Sequence, residues 1–336
     1  MEIRNHATDM QMHPKLVEAL GIVRQERGFN AQEVIDQKAE LLNSYYRESG
    51  LKSAVIAVSG GIDSAVVLGL VKYASQQANS PIKRIVAITM PALENDGVTG
   101  QGEAWDLAGE VCRTFGVKLN VIVMDSIVNP IIVRVEGAIG SPLEEKEQWC
   151  RGQVVSYART PTYYYVTSVL AAQGQPGLVI GTTNLSEGGY LGYFGKASDG
   201  MVDIQLISDL FKSEVYEIGR TLGVPQAVLD REPTGDMFDA TTDEVVFGAP
   251  YDFVELYTTM LQNNFCRGMV EELVREHEMD TGDSSAAEQL EEYSANLERM
   301  HRYNAHKYLG RSPAVHLDVL QCGVIGGWDN PAWRPQ

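Results

Sequence analysis

Long apolar runs are missing from this 336-residue sequence, and no stretch approaches the roughly 20 residues that a membrane-spanning helix needs. The first residues, Met1-Glu2-Ile3-Arg4-Asn5-His6, lack the apolar segment of a secretory signal. Cysteine is scarce: Cys112, Cys150, Cys266 and Cys322 lie far apart and form no CxxC pair. That spacing excludes a zinc ribbon and points to reduced thiols in a cytoplasmic protein. Basic residues are few, 27 against 45 acidic ones, for a net charge of -18. Such a balance argues against nucleic acid as the main partner. There is no internal repeat and no Walker A loop. The nearest approach, Gly189 to Gly195-Lys196, is one residue too long and ends in Ala197.

What is present centres on Ala57-Val58-Ser59-Gly60-Gly61-Ile62-Asp63-Ser64. The β-branched run Ala54 to Val58 reads as a buried strand, and Ala65 to Val71 as a helix packed on it. Ser59-Gly60-Gly61 is then a strand-to-helix turn whose glycines let a ligand approach the backbone. Amides at the helix start, two serine hydroxyls and the helix dipole favour an anionic guest. Asp63, in the first turn, is suited to a metal that bridges phosphate oxygens.

Strands are predicted again at Arg84–Met90, Leu119–Val123 and Leu178–Ile180, with helices at Ala31–Tyr46, Gly102–Phe115, 152–173 and Lys212–Leu222. Pro161 predicts a kink or break in the helix that contains it. Residues 1–30 read as an arm with one short helix, and 127–151 as a loop. Alternation of strand and helix predicts an α/β fold, a doubly wound parallel sheet with helices on both faces. Residues 31–336 are read as a single domain, ending in an acidic helical extension over 260–310. Within it, residues 271–300 carry ten acidic and two basic side chains, as a solvated helical hairpin would.

Further loops of the second half carry charge where a nucleotide could lie. Gly181-Thr182-Thr183-Asn184-Leu185-Ser186-Glu187 follows a strand. Lys196, Asp199 and Asp203 sit in a glycine-rich stretch, and Lys212 opens a helix, where an anion between it and the helix start would explain a cation. Taken singly, Lys196 and Asp199 are ordinary surface charges and Glu187 a solvated one; the joint pattern carries the argument. Tyr163, Tyr164 and Tyr165 read as core or interface.

The first loop resembles the SGGxDS pyrophosphate loop of the N-type ATP pyrophosphatases. Together with Gly181-Thr182, Ser186-Glu187, Phe194-Gly195-Lys196, Asp199-Gly200, Asp203-Ile204, Asp209-Leu210-Phe211-Lys212, Leu222-Gly223-Val224-Pro225, Pro233-Thr234-Gly235-Asp236, Asp243-Glu244 and His306-Lys307, it resembles the NAD synthetase family over roughly residues 31 to 315. The resemblance implies an adenine-nucleotide α-hydrolase-like fold and a C–N ligase. In that family deamido-NAD is adenylated by ATP, pyrophosphate leaves, and ammonia displaces AMP to give NAD. It implies ATP contacts at Ala57, Val58, Ser59, Gly60, Gly61, Ile62, Asp63, Ser64, Thr182, Lys212 and Thr234. It implies Mg²⁺ at Asp63 and Glu187, and deamido-NAD at Arg159, Lys196, Asp203, His306 and Lys307. Catalytic roles fall to Asp243, Lys196 and Lys212, with Asp243 or Glu244 placed to take a proton from ammonium. A homodimer is implied, with the helix near Ala31 to Tyr46 and neighbouring strands at its interface.

The sequence departs from the family at three places. Arg159-Thr160-Pro161-Thr162-Tyr163 stands where Arg-x-Arg-Met is usual, which leaves Arg151 as a competitor of Arg159. Ala197-Ser198 replaces Tyr-Gly, and Tyr308-Leu309-Gly310-Arg311 replaces a basic run. The dinucleotide is therefore gripped differently, or a related acid is the substrate. Alternatives are another N-type pyrophosphatase, acting in GMP-synthetase-like amidation or tRNA thiolation, and a nucleotide-binding sensor without chemistry. Only about 50 residues precede Ser59, too few for an amidase domain, and no cysteine has a catalytic signature. Free ammonia rather than glutamine is the expected nitrogen source.

Overall fold

The computed structural model describes residues 10–93, 101–140, 148–235, 242–308, 314–320 and 335. Six parallel strands form one sheet in the order β3-β2-β1-β4-β5-β6. They are β1 (Ser53–Ala57), β2 (Arg84–Thr89), β3 (Leu119–Val121), β4 (Gly177–Gly181), β5 (Ile204–Gln205) and β6 (Val315–His316). The central strand β1 pairs on both sides, Val55 opposite Val86 and Val179. Its residues alternate between two cores, as a strand period of two requires. Ala54 and Ile56 face one core, which holds α2 (Ala31–Ser49), α3 (Ile62–Gln76), α4 (Gln101–Thr114) and α7 (Lys212–Leu222). Val55 faces the other, with Val128 of α5 (Asp125–Ile139) and Val155, Ala158, Tyr163 and Leu170 of α6 (Gln148–Ala172). The predicted doubly wound sheet with helices on both faces is thus observed.

A third core lies beside the sheet. Leu16, Ala19, Leu20 and Val23 of α1 (Pro14–Arg27) pack with α10 (Tyr251–Gln262), α11 (Asn264–Thr281) and α12 (Ser285–Asn304). Two short helices, α8 (Gln226–Leu229) and α9 (Asp243–Phe247), lead into this bundle. Arg24 ties α1 to α10, donating to Asp252 at 2.7 Å and to both oxygens of Glu255 at 3.0 and 2.7 Å. Arg27 pairs with the buried Glu214 of α7. The acidic hairpin expected over 271–300 is observed as the facing parts of α11 and α12.

The structure differs from the sequence reading in several segments. Much of the loop expected over 127–151 is helix: α5 runs to Ile139, with Pro130 inside it and Gly140 closing it at φ 66°. The glycines and proline there act as helix punctuation, not as loop signals. Helix α6 runs through Pro161 from Gln148 to Ala172. Strand β3 is shorter than expected, and β5 and β6 are two residues each, below what a periodicity can reveal. The apolar side of α2 packs inside the protein: Val34, Ile35, Ala39, Leu42 and Tyr46 are core residues. Asp236, Leu309, Gly310, Arg311, Cys322 and most of the loop after Pro91 lie outside the described residues.

Candidate active site

In a sheet of this order, the connections leaving β1 run to one side and those leaving β4 to the other. A crevice therefore opens at the carboxyl ends of β1 and β4. The loops that follow these two strands carry the predicted motifs, and they meet there. Ser59, Gly61, Asp63 and Ser64 from the first loop, Thr182, Thr183 and Glu187 from the second, and Lys212, Thr234 and Asp243 line one cleft.

The first loop is held by its own hydroxyls. The Ser59 N–H donates to Ser64 Oγ at 3.1 Å, and Ser64 Oγ donates to the Gly61 carbonyl at 3.0 Å. Gly60 adopts φ 87°, and a Cβ there would collide with the Ala104 carbonyl oxygen. Only glycine fits that position. Gly61 caps α3 with no side-chain hydrogen bond to the first amides, so the helix start keeps its donors for a ligand.

The second loop turns through the five-residue π-helical segment Leu185–Gly189, which presents Glu187. Opposite it, Lys212 Nζ donates to Asp63 Oδ2 at 2.6 Å and to Glu187 Oε1 at 2.8 Å. Lys212 is only 3% exposed and its ammonium also faces the Tyr251 ring, 5.1 Å from the centroid. Tyr251 Oη lies 2.8 Å from both Glu187 Oε1 and Asp243 Oδ2. One phenolic proton thus serves two carboxylates, and the groups titrate as a unit. Asp243 Oδ1 is buried without a hydrogen-bond partner among the described residues.

The electrostatics follow from burial. With Asp63, Glu187 and Asp243 ionised, three negative charges face one ammonium, for a local charge of -2. Burial pushes Glu187 up to about 7, opposed by Lys212 and helped by Asp63 and Asp243. Burial also raises Asp243, again against Lys212. For Lys212, burial alone would favour the neutral amine, but Asp63 and Glu187 outweigh it and hold the ammonium well above its ordinary range. The residues fit a hard divalent cation. Carboxylates from two loops converge beside an anion-binding helix start, and the local charge calls for about two positive units.

The remaining expected residues divide. Arg159 lines the cleft, donating to the Met90 carbonyl at 2.8 Å and to Gln101 Oε1 at 3.0 Å, whereas Arg151 pairs with Glu136 away from it. Glu244 accepts the Tyr251 N–H at 2.8 Å, so it caps α10 while Asp243 faces the cleft. Lys196, Asp203, His306 and Lys307 do not line the cleft. Asp203 accepts the Val179 N–H at 2.8 Å and bonds Tyr164, bracing the sheet. Lys196 donates to the His306 carbonyl, and Lys307 to the carbonyls of Gly192 and Phe194 at 2.8 and 2.6 Å. Burial lowers the Lys307 amine to about 8. These two lysines fasten the turn at 305–308 to the 192–196 loop, one wall of the cleft. Residues that the sequence reading missed include Tyr193, Arg231 and Tyr251. Nothing in their local sequence separates Tyr251 from an ordinary core tyrosine.

A second titratable cluster lies far from the cleft. His13, His277 and Asp283 come within 4.8 Å of one another. His13 Nδ1 accepts the Lys15 N–H at 3.1 Å, which leaves its Nε2–H facing Asp283. That tautomer points an N–H at Asp283 from 4.0 Å, while His277 bonds Asp283 at 3.4 Å, and it leaves His13 no lone pair for a metal.

A parallel α/β sheet whose switch point carries a glycine-rich anion loop, two convergent carboxylates and a buried lysine defines a nucleotide-binding enzyme fold of the ATP pyrophosphatase kind. The comparisons narrow it. The NAD synthase family model matches residues 34–307, and the chain belongs to that family. It is 31% identical over 241 residues to an NH(3)-dependent NAD(+) synthetase of Thermoplasma volcanium, covering 72% of this chain and 87% of the relative. Among solved structures, the NMN synthetase from Francisella tularensis shares the fold with a TM-score of 0.61 at 23% identity, over 83% of this chain and 96% of that one. The NH3-dependent NAD synthetase from Campylobacter jejuni does so with a TM-score of 0.57 at 21% identity, over 87% and 100%.

Proposed function

We propose that this chain joins ammonia to the nicotinate carboxylate of deamido-NAD, cleaving ATP to AMP and pyrophosphate through an adenylate. The observation that carries the reading is Lys212 held between Asp63 and Glu187 beneath the Ser59–Gly61 turn. In the first step a carboxylate oxygen attacks the α-phosphorus and pyrophosphate leaves. Two anions must approach, so the site has to supply positive charge. Lys212 and the uncapped amides of α3 supply it from the protein. Asp63 and Glu187 would hold Mg²⁺, which when bound neutralises phosphate charge. Of the residues assigned to ATP, Ser59, Gly61, Ile62, Asp63, Ser64, Thr182, Lys212 and Thr234 line the cleft, which supports their assignment; Ala57, Val58 and Gly60 do not line it.

In the second step ammonia attacks the acyl carbon and AMP leaves. The nitrogen sheds one proton, and ammonium must shed another before attack. Asp243, with one buried oxygen unpartnered, is assigned as the acceptor. Arg159 is assigned to the substrate carboxylate side. For Lys196, Asp203, His306 and Lys307 the support is the family resemblance and their position behind the 192–199 wall. Cys112 and Cys266 support ammonia as the nitrogen source: burial pushes Cys112 up to about 11 and raises Cys266, the opposite of an activated nucleophile. Their free state also supports a cytoplasmic location.

The test supplies purified protein with ATP, Mg²⁺ and deamido-NAD, then compares ammonium chloride with glutamine. NAD, AMP and pyrophosphate in equal amounts with ammonium are expected. Absence of AMP with ammonium would overturn the reaction, and efficient use of glutamine by this chain alone would overturn the nitrogen source. A related nicotinate nucleotide run in parallel tests the acceptor, since the departures at Arg159–Tyr163 and Ala197–Ser198 meet beside the cleft.

We also propose a homodimer, formed through α5 and α6 rather than α2. Val133, Val135 and Ile139 of α5 are 70%, 51% and 67% exposed, and Tyr165 of α6 is 71% exposed. Exposed large apolar side chains concentrated on two helices that pack on each other support an interaction face, and in a chain of net charge -18 such a face is a place where two copies meet with little repulsion. Light scattering at low and high salt tests it. A dimer that Val133→Glu dissociates is expected, and a monomer at all concentrations would refute it. No helix among the described residues is long and apolar enough to cross a membrane.

A further inference from the structure

Asn184 is fully buried between the two loops that carry Asp63 and Glu187. Its side chain is used at both ends. The amide oxygen accepts the Glu187 N–H at 3.0 Å, and the amide nitrogen donates to Asp63 Oδ1 at 2.8 Å. We propose that Asn184 is a positioning residue of the cation site: it sets Asp63 and Glu187 at a fixed separation before nucleotide and metal arrive. The inference rests on the functional reading above.

The two bonds are not equivalent. Accepting the Glu187 N–H caps the π-helical turn, and serine, threonine or aspartate would do that as well. Donation to Asp63 has no capping purpose. It links side chains 121 residues apart in sequence, across the crevice between β1 and β4. Asp63 then has both oxygens engaged, Oδ1 by Asn184 and Oδ2 by Lys212. Were Asp63 to ligate a cation, the bond at Oδ1 would still fix the carboxylate plane. Carboxylates that ligate metals are commonly held in this way by an outer hydrogen bond, and losing it weakens metal binding about 10–100-fold. Asparagine is suited to the task because one small planar group is donor at one end and acceptor at the other. It also brings no charge to compete with the metal.

The test separates cap from positioner. Asn184→Thr keeps an acceptor for the Glu187 N–H but, with a side chain one bond shorter, withdraws the donor from Asp63 Oδ1; Asn184→Ala removes both. Binding of Mn²⁺, a spectroscopic stand-in for Mg²⁺, is measured by its free-ion EPR signal with a non-hydrolysable ATP analogue present, so no turnover is needed. Thermal unfolding is followed alongside. The expected result is Mn²⁺ affinity weakened about tenfold in the threonine variant, with an unfolding midpoint close to that of the unsubstituted protein. Turnover by that variant should recover at high Mg²⁺, with the KM for deamido-NAD unchanged. Mn²⁺ affinity equal to that of the unsubstituted protein would reduce Asn184 to a cap and overturn the proposal. If the unsubstituted protein binds no Mn²⁺ with nucleotide, the cation site itself fails and the proposal with it. If Mn²⁺ binds but no NAD forms, the reaction assignment fails while the Asn184 proposal stands on the binding comparison alone.

Discussion

Replacing Lys212 by methionine keeps most of the side chain's length and removes the one ammonium that faces three carboxylates, Asp63, Glu187 and the buried Asp243. At an effective dielectric of about 20, each of its contacts, 2.6 Å to Asp63 and 2.8 Å to Glu187, carries about 6 kcal/mol of gross attraction. Desolvation of the lysine offsets most of that, and breaking such a buried pair costs a net of about 3–5 kcal/mol. Asp63 and Glu187 keep 19% and 15% exposure, so water relieves part of the strain and the lower figure applies. At about 2 °C per kcal/mol for a chain of this size, the unfolding midpoint should fall by about 6 °C. The pH dependence gives a second signature. Glu187 titrates near 7 in the folded protein, above its unfolded value, so the native state holds a proton that the unfolded state releases. Its contribution to stability is therefore present at low pH and is lost as pH rises toward and through 7. Without Lys212 the folded value climbs further, and that loss extends to higher pH. The deficit of Lys212→Met should be small near pH 5 and largest above pH 7, and added Mg²⁺ should restore part of it by supplying the missing positive charge. Scanning calorimetry at several pH values reads all three effects. A midpoint change below about 1 °C, or a deficit that does not vary with pH, would refute the view of Lys212 as the counter-charge of this cluster.

Asp63→Asn should unfold within a few degrees of the parent, because the new amide oxygen still accepts from Asn184. Pyrophosphate release should fall about 100-fold, since a charged ligand for Mg²⁺ is gone, and near-normal turnover at ordinary Mg²⁺ would exclude Asp63 as a ligand. Tyr251→Phe removes the hydroxyl that helps keep Asp243 ionised. The acidic limb of the kcat profile should move to higher pH, with a stability loss of about 1 kcal/mol, and an unchanged profile would count against Asp243 as the proton acceptor. Gly60→Ala forces a side chain into the Ala104 carbonyl at φ 87°. It should lower the unfolding midpoint and abolish ATP binding by calorimetry, and a variant that binds ATP normally would show that the turn can be rebuilt without cost.

The architecture was legible in the sequence because its central strands are buried on both faces. Val55, Val86 and Val179 sit in register at the centre of the sheet, and each lies within an apolar run that reads as strand on its own. Edge elements were not legible. Strands β5 and β6 hold two residues each, and beside them Asp203 and Asp209 accept the backbone N–H groups of Val179 and Val319, tertiary contacts with no local pattern. Helix α5 was hidden for a different reason. Ile127, Ile131, Val135 and Ile139 recur every four residues as a helix requires, but Pro130, Gly137 and Gly140 read as loop signals over the same stretch.

The candidate site divides along the same physical line. The phosphate side rests on backbone: a turn that only glycine can make, a helix start left uncapped, and carboxylates held one or two bonds from those elements. Backbone constraints restrict residue type at fixed spacing, and a short motif therefore carries them. The dinucleotide side rests on long side chains, Lys196 and Lys307, which reach carbonyls more than 100 positions away. A lysine on a loop can point in many directions, and its sequence neighbours do not choose among them. Tyr251 shows the limit most clearly. It opens α10 as one more buried aromatic of the bundle core, yet its hydroxyl is the atom that joins Glu187 to Asp243. Periodicity accounts for the ring, and only the meeting of three loops accounts for the oxygen.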